Sequence, residues 1–160
     1  MKRSSNRLTV IVAGVGLLAA ACASGSGTMA SKTPEQLVAE RQQLMKQHGD
    51  SWKNIQDSAK ANNLQGVATN ADTMNQNAKK IVALFPAGSM TDKSKAKPEI
   101  WQKFAEFEGA AKKLETESAR LRDTARTGNA QATNEVIKDF GRTACGACHT
   151  PFRVPPPRQG

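Results

Sequence analysis

The strongest constraint on the fold is the spacing of apolar and small residues between positions 100 and 125. The residues at that spacing are Ile100, Phe104, Phe107, Ala111, Leu114, Ser118, Leu121 and Ala125. Their steps alternate between four and three residues, which is the seam period of helices packed in a bundle. Aromatic residues make up only 4% of the chain, and Ala, Lys, Gln and Glu are common. This composition favours helix over sheet, so we expect an all-α fold rather than a β-sandwich or a β-barrel.

Three other segments have the spacing of amphipathic helices. The first starts at a capping box headed by Thr33 and ends near residue 62. The second covers residues 64–85, and the fourth covers residues 130–150, where Pro151 ends it. Because the connections are short or moderate, we predict an antiparallel four-helix bundle over residues 34–153.

Residues 1–21 are typical of an export signal rather than of a folded domain. Three basic residues precede an apolar and small stretch of about 14 residues, which is too short to cross a bilayer. The stretch ends in three Ala directly before Cys22. Two cleavages fit this ending: lipoprotein processing, which makes Cys22 the lipidated N-terminus, and ordinary signal cleavage near Ala21. Both predict a periplasmic protein, either soluble or attached to the membrane through a lipid anchor.

Two flanking segments complete the predicted organisation. Residues 22–33 are rich in Ser, Gly and Ala and are interpreted as a flexible tether. Residues 154–160 form a Pro-rich tail after the bundle.

The positive charge of the chain does not indicate nucleic-acid binding. The formal net charge is +9, and removal of the leader takes away three basic residues and no acidic ones. The remaining Lys and Arg are scattered, and no aromatic stacking platform is interleaved with them. We interpret the pattern as a solvated basic surface, with no nucleic-acid partner.

The motif that carries chemistry is Cys-Gly-Ala-Cys-His at residues 145–149. Within about one helical turn, the sulfurs of Cys145 and Cys148 can add to the two vinyl groups of a haem, and His149 can coordinate its iron. The pattern therefore predicts one covalent haem c, with iron held on one side by His149.

Three other interpretations of the two cysteines are weaker. A zinc site needs four nitrogen or sulfur ligands, and the exported chain offers only one more histidine, His48. A thioredoxin-like redox pair needs a βαβ pattern, which the sequence lacks. A disulfide between Cys145 and Cys148 would stabilise little within one helix.

A C-x-x-C-H motif at the C-terminal end of an exported four-helix chain resembles the cytochrome c′ family, the class II c-type cytochromes. The resemblance covers about residues 34–153. The segments that carry it are Arg41-Gln42-Gln43-Leu44-Met45-Lys46, Leu84-Phe85-Pro86, Lys97-Pro98-Glu99-Ile100-Trp101 and Cys145-Gly146-Ala147-Cys148-His149-Thr150-Pro151-Phe152-Arg153. The family resemblance implies a four-helix bundle around the haem, and members often pair as homodimers.

The resemblance offers two versions of the iron site. In one branch the iron is five-coordinate and its open face binds nitric oxide or carbon monoxide. In the low-spin c-556-type branch, a Met on the first helix is the sixth ligand. The pattern Arg41-x-x-x-Met45, followed by Gly49, resembles the second branch and implies Met45 as the sixth ligand. His48 lies one turn away and is the rival ligand. Arg41 and Arg153 resemble the residues that pair with the haem propionates.

The predicted function is periplasmic transfer of single electrons through a His/Met-ligated haem. The alternative is a five-coordinate cytochrome c′ that binds nitric oxide or carbon monoxide. The sequence contains no nucleophile elbow or phosphate-binding loop, so we expect an electron carrier and not an enzyme. Its partner is expected to be a redox protein.

Overall fold

The computed structural model describes residues 32–157. The helices are α1 (Pro34–Lys60), α2 (Leu64–Ala78), α3 (Glu99–Gln102), α4 (Phe104–Arg126), α5 (Ala130–Phe140) and α6 (Gly146–Phe152). The predicted export signal of residues 1–21, Cys22 and residues 22–31 of the predicted tether lie outside the described residues. The last three residues of the predicted tail lie outside them as well.

The helices form an antiparallel four-helix bundle, which confirms the predicted fold class. The first arm of the bundle is α1 and the second is α2. The third arm consists of α3 and α4, and the fourth consists of α5 and α6. Helix α2 packs against both α1 and α4, and α5 packs against α4. Among residues 32–157 no helix is long and apolar enough to cross a membrane.

Short capped turns fix the antiparallel order at one end of the bundle. Residues 61–63 join α1 to α2, and residues 127–129 join α4 to α5. The side-chain oxygens of Asn63 and Asn129 accept hydrogen bonds from the N–H groups of Gly66 and Ala132, each at 2.9 Å. Gly128 has a φ of +77°, which a residue with a side chain adopts only with strain.

The predicted seam lies in the core. All its members from Phe107 to Ala125 are buried, Ile100 is buried on α3, and Phe104 is half-buried. On α1 the buried residues are Leu37, Val38, Arg41, Leu44, His48, Ser51 and Ile55, and all of them except Val38 follow the same period. Three of these seven are polar, more than on any other helix among the described residues.

Three helix boundaries differ from the prediction. The second helix ends at Ala78 instead of residue 85, and Val82–Leu84 form a 3-10 turn. The third arm is interrupted at Lys103, whose φ of −126° and ψ of 48° are not helical. The fourth arm continues past Pro151 to Phe152. Pro151 lies in the last turn, where the missing N–H removes only one helical hydrogen bond.

The long connection of residues 79–98 is held by contacts distant in sequence. The Trp101 indole N–H donates to the carbonyl oxygens of Phe85 and Pro86, at 3.1 and 3.0 Å. The N–H of Lys97 donates to the Phe152 carbonyl oxygen at 2.9 Å. The N–H of Val154 donates to the Lys95 carbonyl oxygen at 2.8 Å. The start of the tail is therefore paired with the connection.

Candidate functional site

A cavity of about 390 Å³ lies at the end of the bundle away from the short turns. It is bordered by the N-terminal part of α1, the C-terminal side of α2, the N-terminal half of α4 and the chain from Ala144 to Arg153. Its size falls in the range of ligand and cofactor sites, about 300–1,000 Å³. The surrounding side chains are largely apolar, so the cavity suits a large apolar molecule.

The C-terminal wall of the cavity depends on a change of helix type. α5 continues into a π-helical turn over Gly141–Cys145, in which the N–H of Gly146 donates to the carbonyl of Gly141. The inward residues of this arm are spaced by four: Val136, Phe140, Ala144 and Cys148. In an α-helix each step of four overshoots a full turn by about 40°. The wider π turn compensates for this rotation and keeps the row directed inward.

The three residues of the motif line this wall together. Burial raises the pKa of both thiols, to about 11 for Cys148, where Cys145 adds to the effect. Burial, together with the charge of Arg153, lowers the pKa of His149. At neutral pH the imidazole is therefore uncharged, which is the form that binds a metal.

The facing wall belongs to α1. Met45, His48, Gly49 and Trp52 all line the cavity from this helix. A Cβ at Gly49 would meet no atom within 4 Å, so the helix borders open space at this point. The Trp52 ring stacks on Phe140 with the ring centroids 5.1 Å apart. This stacking holds α1 against α5 at the cavity wall.

His48 is the polar exception in this wall. Its side chain is buried, and Nε2 has no hydrogen-bond partner among the described residues. Burial, with a smaller contribution from His149, lowers the pKa of His48 to about 4. Buried polar atoms in proteins are nearly always paired. The unpaired nitrogen in the cavity wall is therefore available to a group bound in the cavity.

Arg41 lines the cavity, but its side chain is hydrogen-bonded to the connection of residues 79–98. Nε donates to the Leu84 carbonyl at 2.7 Å, one terminal nitrogen donates to the Ser89 carbonyl at 2.9 Å, and the other donates to the Ser89 hydroxyl. The guanidinium carbon lies 4.0 Å from the Phe85 ring centroid. Three of its five donors are thus engaged, and two remain for a carboxylate.

Arg153 has a different position from Arg41. It is exposed at the rim of the cavity, and its backbone forms an isolated antiparallel bridge with Ala96. Its charge is therefore available to a carboxylate at the edge of the site, although the structure shows no such partner among residues 32–157.

The sequence did not reveal the cap of the cavity. Phe85 and Phe152 pack edge-on against Phe107, with centroid distances of 4.8 and 5.6 Å. Lys95 and Ala96 also line the opening.

The sequence did contain a signal for the π turn, since residues spaced by four do not stay on one face of an α-helix. The bridge between Ala96 and Arg153 has no signal of this kind.

The donor set fits a covalent haem. Two thiols and an imidazole lie on one wall of an apolar cavity, and a thioether and an imidazole lie on the facing wall. Iron in a haem accepts nitrogen and thioether ligands from opposite faces. Among the described residues no three His, Cys, Asp or Glu side chains are grouped as ligands of a bare metal ion.

Comparison with known proteins identifies relatives of the same fold. The family profile described as Cytochrome C′ matches residues 36–153. Cytochrome c-556 of Agrobacterium tumefaciens (strain II Chrys) is 32% identical over 120 residues, which cover 73% of this chain and 96% of the relative.

Two solved structures extend the comparison. The cytochrome c′ of Thermochromatium tepidum is 27% identical, with a TM-score of 0.71 over 79% of this chain and 100% of its own. A cytochrome c′ described as having an unusual ligand-controlled dimer dissociation is 25% identical, with a TM-score of 0.71 over the same shares of the two chains. Cytochrome c′ neighbours therefore include dimeric forms.

Proposed function

Because this chain belongs to the cytochrome c′ family and carries its covalent haem c, we propose that it is a periplasmic electron carrier of the c-556 type. Cys145 and Cys148 would hold the haem through thioether bonds, and His149 would bind its iron. Met45, on α1, would be the sixth ligand. The similarity to cytochrome c-556 and the position of Met45 in the facing wall support this assignment.

The single observation that carries the proposal is the placement of ligands on both walls of one cavity. Met45 and His149 belong to arms that are far apart in sequence, yet both line the same space. A bound haem supplies an iron that takes up and releases one electron. The chain's own contribution is to hold both ligands on packed helices, so that little rearrangement accompanies the change of charge.

Met45 suits an electron carrier for chemical reasons. A thioether is neutral and soft, so it stabilises reduced iron without placing a charge in the apolar cavity. Arg41 and Arg153 are proposed to pair with the two propionates. Arg41 would do so with the two donors that the connection leaves, and Arg153 from the rim.

A second candidate function is the binding of nitric oxide or carbon monoxide at an open iron face. It is favoured by the similarity to cytochromes c′, one of which is described as having ligand-controlled dimer dissociation. In that case Met45 would be a wall residue without a bond to iron.

The remaining assignments concern the cell envelope and assembly. The export signal of residues 1–21 supports a periplasmic location, with Cys22 as lipid anchor if lipoprotein processing occurs. The relatives named cytochrome c-556 are electron carriers, so we propose a redox protein as partner and no enzymatic reaction. A homodimer is proposed by similarity to the dimeric neighbour.

The test uses two volume-conserving substitutions, Met45→Leu and Met74→Leu. Both methionines line the cavity, but Met74 lies on α2. The oxidised wild-type protein is expected to show the charge-transfer absorption of a thioether bound to ferric haem. Met45→Leu should abolish that absorption and Met74→Leu should retain it. Absence of the absorption from the wild type would contradict ligation by Met45.

A further inference from the structure

A further candidate ligand of the iron is indicated by a buried nitrogen in the α1 wall that lacks a hydrogen-bond partner among the described residues. His48 is 9% exposed, lines the cavity, and has an Nε2 atom without a hydrogen bond among the described residues. Leaving such an atom desolvated and unpaired is unfavourable, so Nε2 would gain from binding any electron-pair acceptor that comes within its reach in the cavity.

The surroundings of His48 restrict what that partner can be. No Asp or Glu is among the residues that line the cavity. The guanidinium of Arg41 is directed at Leu84 and Ser89, and it can donate but not accept. Lys95, Arg153 and His149 are the remaining titratable groups besides the two thiols. These residues offer no acid that would make His48 part of a charge pair.

Helix geometry places His48 beside Met45. The two residues are three positions apart on α1, which corresponds to about 4.5 Å along the axis and about 60° around it. Both line the cavity, and His149 does so from the facing wall.

The protonation state of His48 suits a metal ligand. Burial holds its pKa well below neutrality, so the ring keeps a lone pair at physiological pH. Imidazole is a common ligand of haem iron, and it is a harder donor than a thioether.

We propose that His48 is a reserve sixth ligand, whose Nε2 binds at the sixth coordination position of the iron whenever the Met45 thioether is absent. This inference rests on the proposed function, because it requires a haem held by His149 with Met45 on its other face. It implies that an external gas molecule must compete with an imidazole already tethered to α1, which lowers the apparent affinity for gas.

The experiment compares four purified holoproteins: wild type, Met45→Leu, His48→Leu and the double variant. Magnetic circular dichroism and electron paramagnetic resonance identify the ligands of the oxidised iron, and carbon monoxide titration probes the reduced iron. Met45→Leu is expected to lose the thioether signature and remain low-spin with a bis-imidazole signature. The double variant should be high-spin and bind carbon monoxide at least about tenfold more tightly than Met45→Leu. His48→Leu alone should retain the wild-type signature.

A high-spin Met45→Leu protein that binds carbon monoxide as tightly as the double variant would overturn the inference while leaving ligation by Met45 intact. A wild type without the thioether signature would instead contradict the proposed function. His48→Gln, which keeps a polar side chain of similar size, repeats the comparison if the Leu variants yield too little holoprotein. Haem staining after denaturing electrophoresis shows whether haem is attached to each variant, and far-ultraviolet circular dichroism shows whether the variant is folded.

Discussion

At one end of the bundle, Ile55, Val67 and Leu121 have no solvent exposure, and two turns of three residues close the helices. At the other end, α1 and the C-terminal arm separate around a cavity of about 390 Å³, and the connection covers it. The closed end is stabilised by apolar burial within the chain. The open end leaves apolar walls without a protein partner, so its packing depends on the haem.

The polar residues divide in the same way. At the closed end, the Thr133 hydroxyl donates to the Asn129 carbonyl at 2.8 Å, and its hydrogen bond is satisfied locally. At the open end, Arg41 donates a hydrogen bond to Leu84, which lies more than 40 positions away in the sequence. His48 Nε2 has no hydrogen-bond partner among residues 32–157. The closed end specifies the fold, and the open end holds the groups that act on the haem.

The largest effect is expected from removing both attachment sites, Cys145→Ala with Cys148→Ala. Denaturing electrophoresis with haem staining should show a coloured wild-type band and a colourless variant band. Hydrogen exchange should then quicken in residues 38–52 and 141–153, while residues 55–71 and 118–136 keep their protection, because only the open end packs on haem. Equal loss of protection at both ends would contradict the division.

Two leucines on α4, seven residues apart, test the comparison within one helix. Leu121→Ala removes a side chain with no solvent exposure at the closed end and should lower the free energy of unfolding by about 2–5 kcal/mol. Its haem spectrum should be that of the wild type. Leu114 lines the cavity, so Leu114→Ala should alter the spectrum as well. Denaturant unfolding and optical spectra measure both; a spectral change in Leu121→Ala alone would refute the assignment.

Arg41→Met tests the cap of the open end. It removes three hydrogen bonds to Leu84 and Ser89, and we expect a loss of about 1–3 kcal/mol in unfolding free energy. Limited proteolysis should cleave the connection of residues 79–98 faster than in the wild type. The control is Arg120→Met, at an exposed pair with Glu117, which should change stability by less than about 0.5 kcal/mol. Equal effects would show that Arg41 does not anchor the connection.

The smallest effect concerns acid stability. His48 has a pKa of about 4 in the folded chain and about 6.5 when unfolded, so the unfolded state binds more protons between these values. Stability is therefore lost as pH falls from about 6.5 towards 4. Between pH 7 and pH 5, His48→Leu should lose about 1–2 kcal/mol less than the wild type. Denaturant unfolding of the two holoproteins at both pH values provides the measurement, and parallel pH profiles would argue against a buried neutral imidazole.

The parts of the fold that could be predicted from sequence have local signals. The four-three seam from Phe107 to Ala125 and the capping box at Thr33 both appear in the structure. The end of α2 at Ala78 and the break at Lys103 could not be predicted in this way. They flank the connection, which Arg41 and Trp101 hold through hydrogen bonds between residues distant in sequence.

The site, too, could be predicted only where its sequence signal is local. The spacing of Cys145, Cys148 and His149 is a local pattern, and the structure places all three in one wall. The sequence also marked Met45 and His48, but their unequal burial and the unpaired Nε2 appear only when α1 packs on the other arms. Which of them binds iron stays a prediction.

Addition of carbon monoxide to the reduced wild-type protein tests most directly whether the chain is an electron carrier with a closed iron site. With Met45 bound, and His48 beside it, the optical spectrum should be low-spin in both oxidation states and nearly unchanged by the gas. A high-spin ferrous spectrum that converts promptly to the carbon monoxide form would show an open iron face and would contradict the account.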